Sequence, residues 1–176
     1  MEYKFMRPET TLTLLEEHRI EGYASVFGVH DKGGDIVAPG AYAVALKLLR
    51  RRGDKVRMLW QHDPGEPIGI WDEVFEDAHG LFVRGRLLPD VARAREAQAL
   101  LMAGAVDGLS IGYRTVRAEK LPQGGRRLIE LDLWEVSLVT FPMQIEARIH
   151  QKSALVQDLA LMRAQMRAAR EAVARL

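Results

Sequence analysis

The sequence predicts an α+β fold, mainly β, in which two helices interrupt a series of short strands. Three observations carry this prediction. Short segments of alternating apolar and polar residues end at glycine, proline or aspartate turns, as half-buried strands do. Two longer segments show helical spacing instead. The last 26 residues, 151–176, contain no glycine or proline and are rich in alanine, arginine, leucine and methionine.

Composition narrows the class of protein. A chain of 176 residues suits one globular domain with an appendage. A net charge of +1, from 25 basic and 24 acidic residues, gives no electrostatic case for nucleic acid. The absence of cysteine excludes disulfides, thiolate zinc sites and a cysteine nucleophile. Because no apolar run is long enough for a membrane span or a signal peptide, we expect a soluble intracellular protein.

The local patterns predict the elements one by one. In chain order they predict a strand at 19–27, a turn at 31–35, an extended pair at 36–37, a helix at 41–51 with Ala45, Leu48 and Leu49 on one side, and a strand from 56 that ends at 63–65. The second half predicts strands at 68–75 and 81–87, a helix with Asp90 as N-cap and Gly104 as stop, and a hairpin of 111–117 with 126–140 closed by 122–125.

The C-terminal segment 151–176 is predicted to be a separate helical tail behind a domain formed by 1–150. Its apolar residues alternate at spacings of four and three, namely Leu155, Leu159, Met162, Met166, Ala169, Val173 and Leu176. That spacing is a heptad seam. Three interpretations remain open: a helix folded back on its own domain, a helix for self-association or partner docking, and a frayed tail.

Ser110 is the first candidate for chemistry, because it occupies the centre of the G-x-S-x-G run at 108–112. An α/β-hydrolase has a strand before such a serine and a helix after it. Here a helical pattern precedes and a strand pattern follows, so an α/β-hydrolase is not indicated. The flanking glycines still place the hydroxyl where backbone N–H groups, those of Ile111 and Gly112, can face a reacting carbonyl.

A serine nucleophile needs a base, and the base needs an orienting group. His62 falls in phase with Met58 and Trp60 and so continues an apolar strand face; it is either a base or a buried structural histidine. Glu135 interrupts an apolar row in the last predicted strand, where a carboxylate needs a partner. It either orients an imidazole or forms an ordinary salt bridge. Asp63 is a second candidate for that third position. Spacing alone does not show that these groups meet.

Five separated segments within residues 19–149 carry a family resemblance. They are 21–27 (EGYASVF), 33–37 with 39–42 (GGDIV, PGAY), 59–63 with 67–69 (LWQHD, PIG), 108–113 (GLSIGY) and 134–142 (WEVSLVTFP). In content and order they resemble the prohead (capsid maturation) proteases of HK97-like tailed phages and gene transfer agents, a family distantly similar to the herpesvirus assemblins.

The resemblance implies a closed antiparallel β-barrel flanked by helices, without cofactor or metal. It implies Ser110 as nucleophile, His62 as base and Glu135 as third member, with Arg148 the nearest arginine for an oxyanion loop. The implied function is serine proteolysis inside the immature capsid, directed at the scaffolding segment of the major capsid protein and at the protease itself. A homodimer, or tail-mediated docking to scaffold, is expected, with no contact to nucleic acid or membrane. Two rivals are a catalytically silent assembly factor and a β-barrel binding module.

Overall fold

Seven strands and two helices make up residues 18–149, the part of the chain that the computed structural model describes. In order they are β1 (Arg19–Val26), β2 (Ile36–Val37), α1 (Ala43–Arg52), β3 (Arg57–Trp60), β4 (Asp63–Glu76), β5 (Gly80–Leu87), α2 (Ala92–Met102), β6 (Gly108–Lys120) and β7 (Arg126–Val139). The predicted mainly β architecture with two helices is confirmed. The predicted tail at 151–176 lies outside the described residues.

All seven strands join one sheet in which β7 is central. The order is β1-β5-β4-β3-β7-β2, and β6 runs along the other edge of β7. With 14 residues, β7 is long enough for β2 to pair near its start and β3 near its end. Both of these pairings are parallel, whereas antiparallel pairing throughout was expected. The reason is topological: the elements between β3 and β7 supply the long crossover that a parallel pair needs.

The two edges of the curled sheet meet through single bridges. Arg148 bridges Gly108 at the start of β6, and Ile149 bridges Gly22 in β1. A Cβ on Gly22 would lie 2.2 Å from the Arg148 carbonyl oxygen, so glycine permits this approach. Among the described residues β1 and β6 form no continuous ladder. The structure therefore shows a curled sheet joined at its edges, and not the fully closed barrel that was expected.

Helix α1 packs on the core through Tyr42, Ala45 and Leu46, which are buried. The prediction that Leu48 shares that side is wrong, because Leu48 is 43% exposed; Ala45 and Leu49 do face the core, and Leu46 joins them. The helix begins at Ala43, and the preceding N–H of Tyr42 donates to Glu76 on β4. It ends at Gly53, which takes the left-handed conformation with φ 72°.

Helix α2 covers the sheet with Ala94, Ala97 and Leu101. The predicted N-cap Asp90 is wrong, since Val91 takes that position without a side-chain hydrogen bond. The predicted stop at Gly104 is confirmed, because that glycine follows the helix with φ 68°. No helix in residues 18–149 is long and apolar enough to cross a membrane.

A β-bulge in β7 decides which side chains face the core. Gly112 pairs with Glu135 and the next residue of β6 with Leu133, so Trp134 is the extra residue. Before the bulge the odd-numbered leucines of β7 lie in the core; after it Val136 and Leu138 do. Glu135 therefore faces away from the core, and the expectation that it continues the apolar row of β7 is wrong.

Candidate active site

His62 lies in a tight turn that the sequence pattern did not predict. Strand β3 ends at Trp60, and the next two residues, Gln61 and His62, both have left-handed φ values of 52° and 63°. The expectation that His62 continues the apolar face of β3 is therefore wrong, because the strand phase is lost before it. The turn is fastened to the end of β7: the Gln61 side chain exchanges two hydrogen bonds with Thr140.

Glu135 holds the imidazole of His62. Oxygen Oε1 of Glu135 lies 2.5 Å from Nδ1 of His62, and Glu135 is buried whereas the His62 side chain is 41% exposed. This hydrogen bond raises the pKa of His62; partial burial opposes the shift and the nearby negative charge adds to it. With Nδ1 occupied, Nε2 remains for a second partner.

Ser137 completes the arrangement, although the sequence analysis missed it. Its hydroxyl donates to Oε2 of Glu135 at 2.6 Å and accepts the backbone N–H of His62 at 3.2 Å. The residue is fully buried. The signal that could have found it is its position two residues after Glu135, which puts both side chains on one sheet face.

Ser110 lies directly across the ladder from Ser137. Side chains opposite one another in antiparallel strands share a face, with Cβ atoms about 4.5–5.5 Å apart. Ser110 thus shares the face of Glu135 and Ser137, one strand away from the His62 pair. Its hydroxyl makes no hydrogen bond within residues 18–149, and it is not bonded to His62. Of the three predicted groups, His62 and Glu135 are hydrogen-bonded to each other, and Ser110 lies on the neighbouring strand, on the sheet face of Glu135.

The glycines around Ser110 do not form a turn. Ser110 lies inside β6, and neither Gly108 nor Gly112 has a left-handed φ. They make room instead: a Cβ on Gly112 would lie 2.0 Å from Oε1 of Glu135, and one on Gly108 would lie 2.6 Å from the Val139 carbonyl. The second glycine of G-x-S-x-G, Gly112, therefore leaves the space that the Glu135 carboxylate occupies.

The edge of β6 that faces away from β7 carries some of the backbone groups that the sequence predicted for an oxyanion site. The N–H of Leu109 points away from β7, since it donates to Ala147 at 2.8 Å. By the alternation of a strand, the backbone of Ile111 faces the same edge. Gly112 pairs with Glu135 in the ladder. The Arg148 guanidinium is directed elsewhere, donating to the Ile145 carbonyl and pairing with Asp107.

Asp63, the other carboxylate considered for the third position, makes no hydrogen bond to the imidazole in the described part of the chain. Its Oδ1 accepts the N–H of Gly65 at 2.8 Å, while His62 bonds to Glu135. In residues 18–149 no group of three or more histidine, aspartate or glutamate side chains could hold a metal ion.

A groove begins beside Ser110. Ser110 and Ile111 line a cavity of about 80 Å³ between β6 and the loops at 29–35 and 143–147. A second cavity of about 630 Å³ shares lining residues with it and continues to the β6–β7 turn. The shared lining residues are Asp31, Asp35, Tyr113 and Met143. An ion pair of Asp35 with Arg126 ties the two walls of the groove together.

The chain is similar to proteins of known role. A family model described as caudovirus prohead serine protease matches residues 3–161. The prohead protease of Enterobacteria phage HK97 is 39% identical over 132 residues, covering 73% of this chain and 57% of that protein. A capsid polyprotein of Pseudomonas phage PAJU2 is 35% identical over 141 residues, covering 76% of this chain and 20% of that protein. The chain thus spans less than two thirds of either relative.

Solved structures share the fold. The capsid assembly protease of bacteriophage T4 superposes with a TM-score of 0.61 at 16% identity, over 76% of this chain and 89% of that one. The KSHV protease, solved in complex with a hexapeptide phosphonate inhibitor, gives a TM-score of 0.54 at 16% identity, over 76% of this chain and 64% of that one. At this identity the likeness concerns the fold.

Proposed function

The chain belongs to the caudovirus prohead serine protease family, as the resemblance predicted, and from that premise we propose that it is a serine endopeptidase of capsid maturation. Ser110 is the nucleophile, His62 the base and Glu135 the group that orients it. The observation that supports this most is the short His62–Glu135 hydrogen bond on the sheet face that Ser110 shares. The acidic partner fixes Nδ1 as the donor and leaves Nε2 free to take a proton.

The reaction then follows from the roles of these atoms. Nε2 of His62 removes the Ser110 proton as Oγ attacks the peptide carbonyl, and the N–H of Ile111 binds the oxygen that becomes negative. The same proton passes to the leaving amine, and the acyl group stays on Ser110. Water, activated by His62, releases it. Since Ser110 Oγ has no partner among residues 18–149, substrate binding is the step that brings it to Nε2; such bonds often form only in the complex.

The substrate is an extended peptide laid along β6. The backbone edge at Ile111 offers a place for strand addition, and the groove beyond it leads past Tyr113. Burial and the carboxylates of Asp35 and Asp31 raise the pKa of Tyr113, so its phenol stays a neutral hydrogen-bond donor. We propose that the peptide is the scaffolding segment of the major capsid protein, and also a segment of the protease itself. A relative named capsid polyprotein contains a region that matches this chain, which supports a capsid protein as partner.

The site of action in this proposal is the interior of the immature capsid, of a phage or a gene transfer agent, in the bacterial cytoplasm. The tail at 151–176 carries the enzyme there by self-association, as in a homodimer, or by pairing with scaffold helices. Deleting 151–176 and measuring mass in solution and incorporation into particles tests this part. An unchanged mass with unchanged incorporation removes the tail from the proposal.

The decisive experiment is co-expression with the capsid protein that accompanies this chain, followed by mass spectrometry of the products. The unmodified chain should trim the capsid protein, and Ser110→Ala should leave it whole. A catalytically silent assembly factor is the alternative, suggested by the unbonded Ser110 hydroxyl. A fluorophosphonate probe separates the two, because it labels Ser110 only when the serine is activated. No labelling together with correct particle assembly would favour the silent factor.

A further inference from the structure

We propose that Ser137 is a positioning residue that sets the basicity of His62 by holding both His62 and Glu135, an inference that rests on the proposed function. Three hydrogen bonds form a closed ring. Nδ1 of His62 bonds to Oε1 of Glu135, the Ser137 hydroxyl bonds to Oε2, and the backbone N–H of His62 bonds to Ser137 Oγ. One buried hydroxyl thus links the backbone of the base to the carboxylate that holds its ring.

The first task of Ser137 is to fix the carboxylate. Glu135 has rotatable bonds, and its side chain lies over Gly112, a residue with no side chain to restrain it. The bond from Ser137 occupies the second oxygen, so that the first is turned toward the imidazole. Without it the carboxylate can rotate away from Nδ1, and the charged hydrogen bond weakens.

The second task is to hold the turn. A left-handed φ costs a residue other than glycine about 1 kcal/mol or more. His62, at φ 63°, directs its N–H into the sheet, where Ser137 accepts it. The position of the imidazole beside Glu135 follows from this backbone, so Ser137 acts on the base both through the His62 backbone and through the Glu135 carboxylate.

Ser137 itself is not a nucleophile in this arrangement. Its only proton goes to Glu135 and one of its lone pairs accepts the His62 N–H, whereas the Ser110 hydroxyl opposite is unbonded within residues 18–149. Of the two facing serines, Ser137 in β7 therefore positions the base, and Ser110 in β6 is the one that attacks.

The charged groups around His62 are few, which makes its titration informative. Glu135 is the one that shifts its pKa. Arg57 on β3 lies opposite Glu135 in the ladder but forms no ion pair with it in the described part of the chain. The carboxylate of Asp63 accepts the N–H of Gly65. A change in the His62 titration on altering Ser137 therefore reports on the Glu135 contact.

The experiment measures the full chain in two ways. The rate at which a fluorophosphonate labels Ser110 is followed from pH 5 to 9, and the His62 ring is titrated by NMR. Ser137→Ala should slow labelling about 10- to 100-fold, the effect of one hydrogen bond to a charged group. It should also move the His62 pKa down, because the bond that raises it is loosened. Thr115→Ala, which removes a hydroxyl farther along β6, is the matched control and should change neither.

The His62 titration decides against the proposal if it does not shift downward. A Ser137→Ala chain with the wild-type His62 titration, or with a higher pKa, shows that Glu135 holds the ring unaided, even if labelling is slow or the melting temperature is lower. If Ser137→Ala does not fold, Ser137→Cys keeps a weaker donor at the same place; its labelling rate and His62 pKa should then lie below the wild type, and equality with the wild type overturns the idea. Failure of the unmodified chain to label contradicts the proposed function instead, and the NMR titration still tests Ser137.

Discussion

The two halves of the site differ in how completely they are hydrogen-bonded. On the β7 side, His62, Glu135 and Ser137 satisfy one another within 3.2 Å. On the β6 side, Ser110 Oγ has no hydrogen-bond partner in residues 18–149, and Ser110 and Ile111 both line a cavity. In the proposed mechanism this difference means that the base is hydrogen-bonded before the substrate arrives, whereas the nucleophile and the oxyanion site are completed by the substrate.

The largest effect on activity should come from removing the Ser110 hydroxyl on the β6 side of the site. Ser110→Ala should lower the rate of peptide cleavage by about 10⁴-fold or more, because the attacking oxygen is gone. The melting temperature should hardly change, since that hydroxyl makes no hydrogen bond in the described part of the chain. Proteolysis assays and thermal melts check both. A large loss of stability would show that Ser110 is structural and that the two halves are not distinct.

Removing the charge of Glu135 should lower activity less than Ser110→Ala does, and it should shift the pH dependence of the rate. Glu135→Gln should lower the rate about 10²- to 10⁴-fold, as removal of an orienting carboxylate does in serine proteases. In the unmodified enzyme the acid limb of the rate profile should lie above the ordinary histidine value of about 6.5, because Glu135 raises the pKa of His62 and the base must be neutral to act.

The raised pKa of His62 has opposite consequences for stability and for activity as pH increases. A raised folded-state pKa means that the His62–Glu135 contact stabilises the fold below about pH 6.5 and loses this contribution as pH rises through the folded-state pKa. Activity rises over the same range. In Glu135→Gln the acid limb should move to lower pH. A limb that stays in place would mean that another group sets the pKa of the base.

Filling the space beneath the carboxylate should have a smaller effect on rate. In Gly112→Ala the new methyl group would lie 2.0 Å from Oε1 of Glu135, so the carboxylate must move and the labelling of Ser110 should slow about 10- to 100-fold. Gly65→Ala is a matched control: it adds a methyl group in β4 whose nearest neighbour is the Asp63 carboxylate at 3.2 Å. Equal rates for the two variants would contradict the role given to Gly112.

The smallest effect should come from the fastening of the His62 turn. Gln61→Ala removes both side-chain bonds to Thr140 and should destabilise the fold by about 1 kcal/mol. The labelling rate should fall only a few-fold, because Ser137 still holds the His62 backbone. Denaturant melts and the labelling assay measure the two effects. A fall in the labelling rate as large as that of Glu135→Gln would mean that Gln61, and not Ser137, holds the turn in place.

The sequence predicts the strands and helices well because each depends on a local pattern, as in β5, whose apolar alternation matches its burial. The site was harder for two reasons. The extra residue at Trp134 and the left-handed pair at Gln61 and His62 are not encoded by glycine or proline, so no local rule indicates them. His62 and Glu135 were both expected on the core side, and both lie off it. They meet because β3 and β7 pair in parallel. This pairing joins segments that are far apart in sequence, so local patterns do not indicate it.

The residues at 147–149 act as a latch, because they bond to β6 on one side and to β1 on the other. Any trimming of the chain from its C-terminal side therefore has a boundary. A cut before Ala147 would remove the residues that bond to both sheet edges, together with Ala147 itself, which lines the groove beside Ser110. If the proposed self-processing reaches this far, the two sheet edges lose this link and activity should fall.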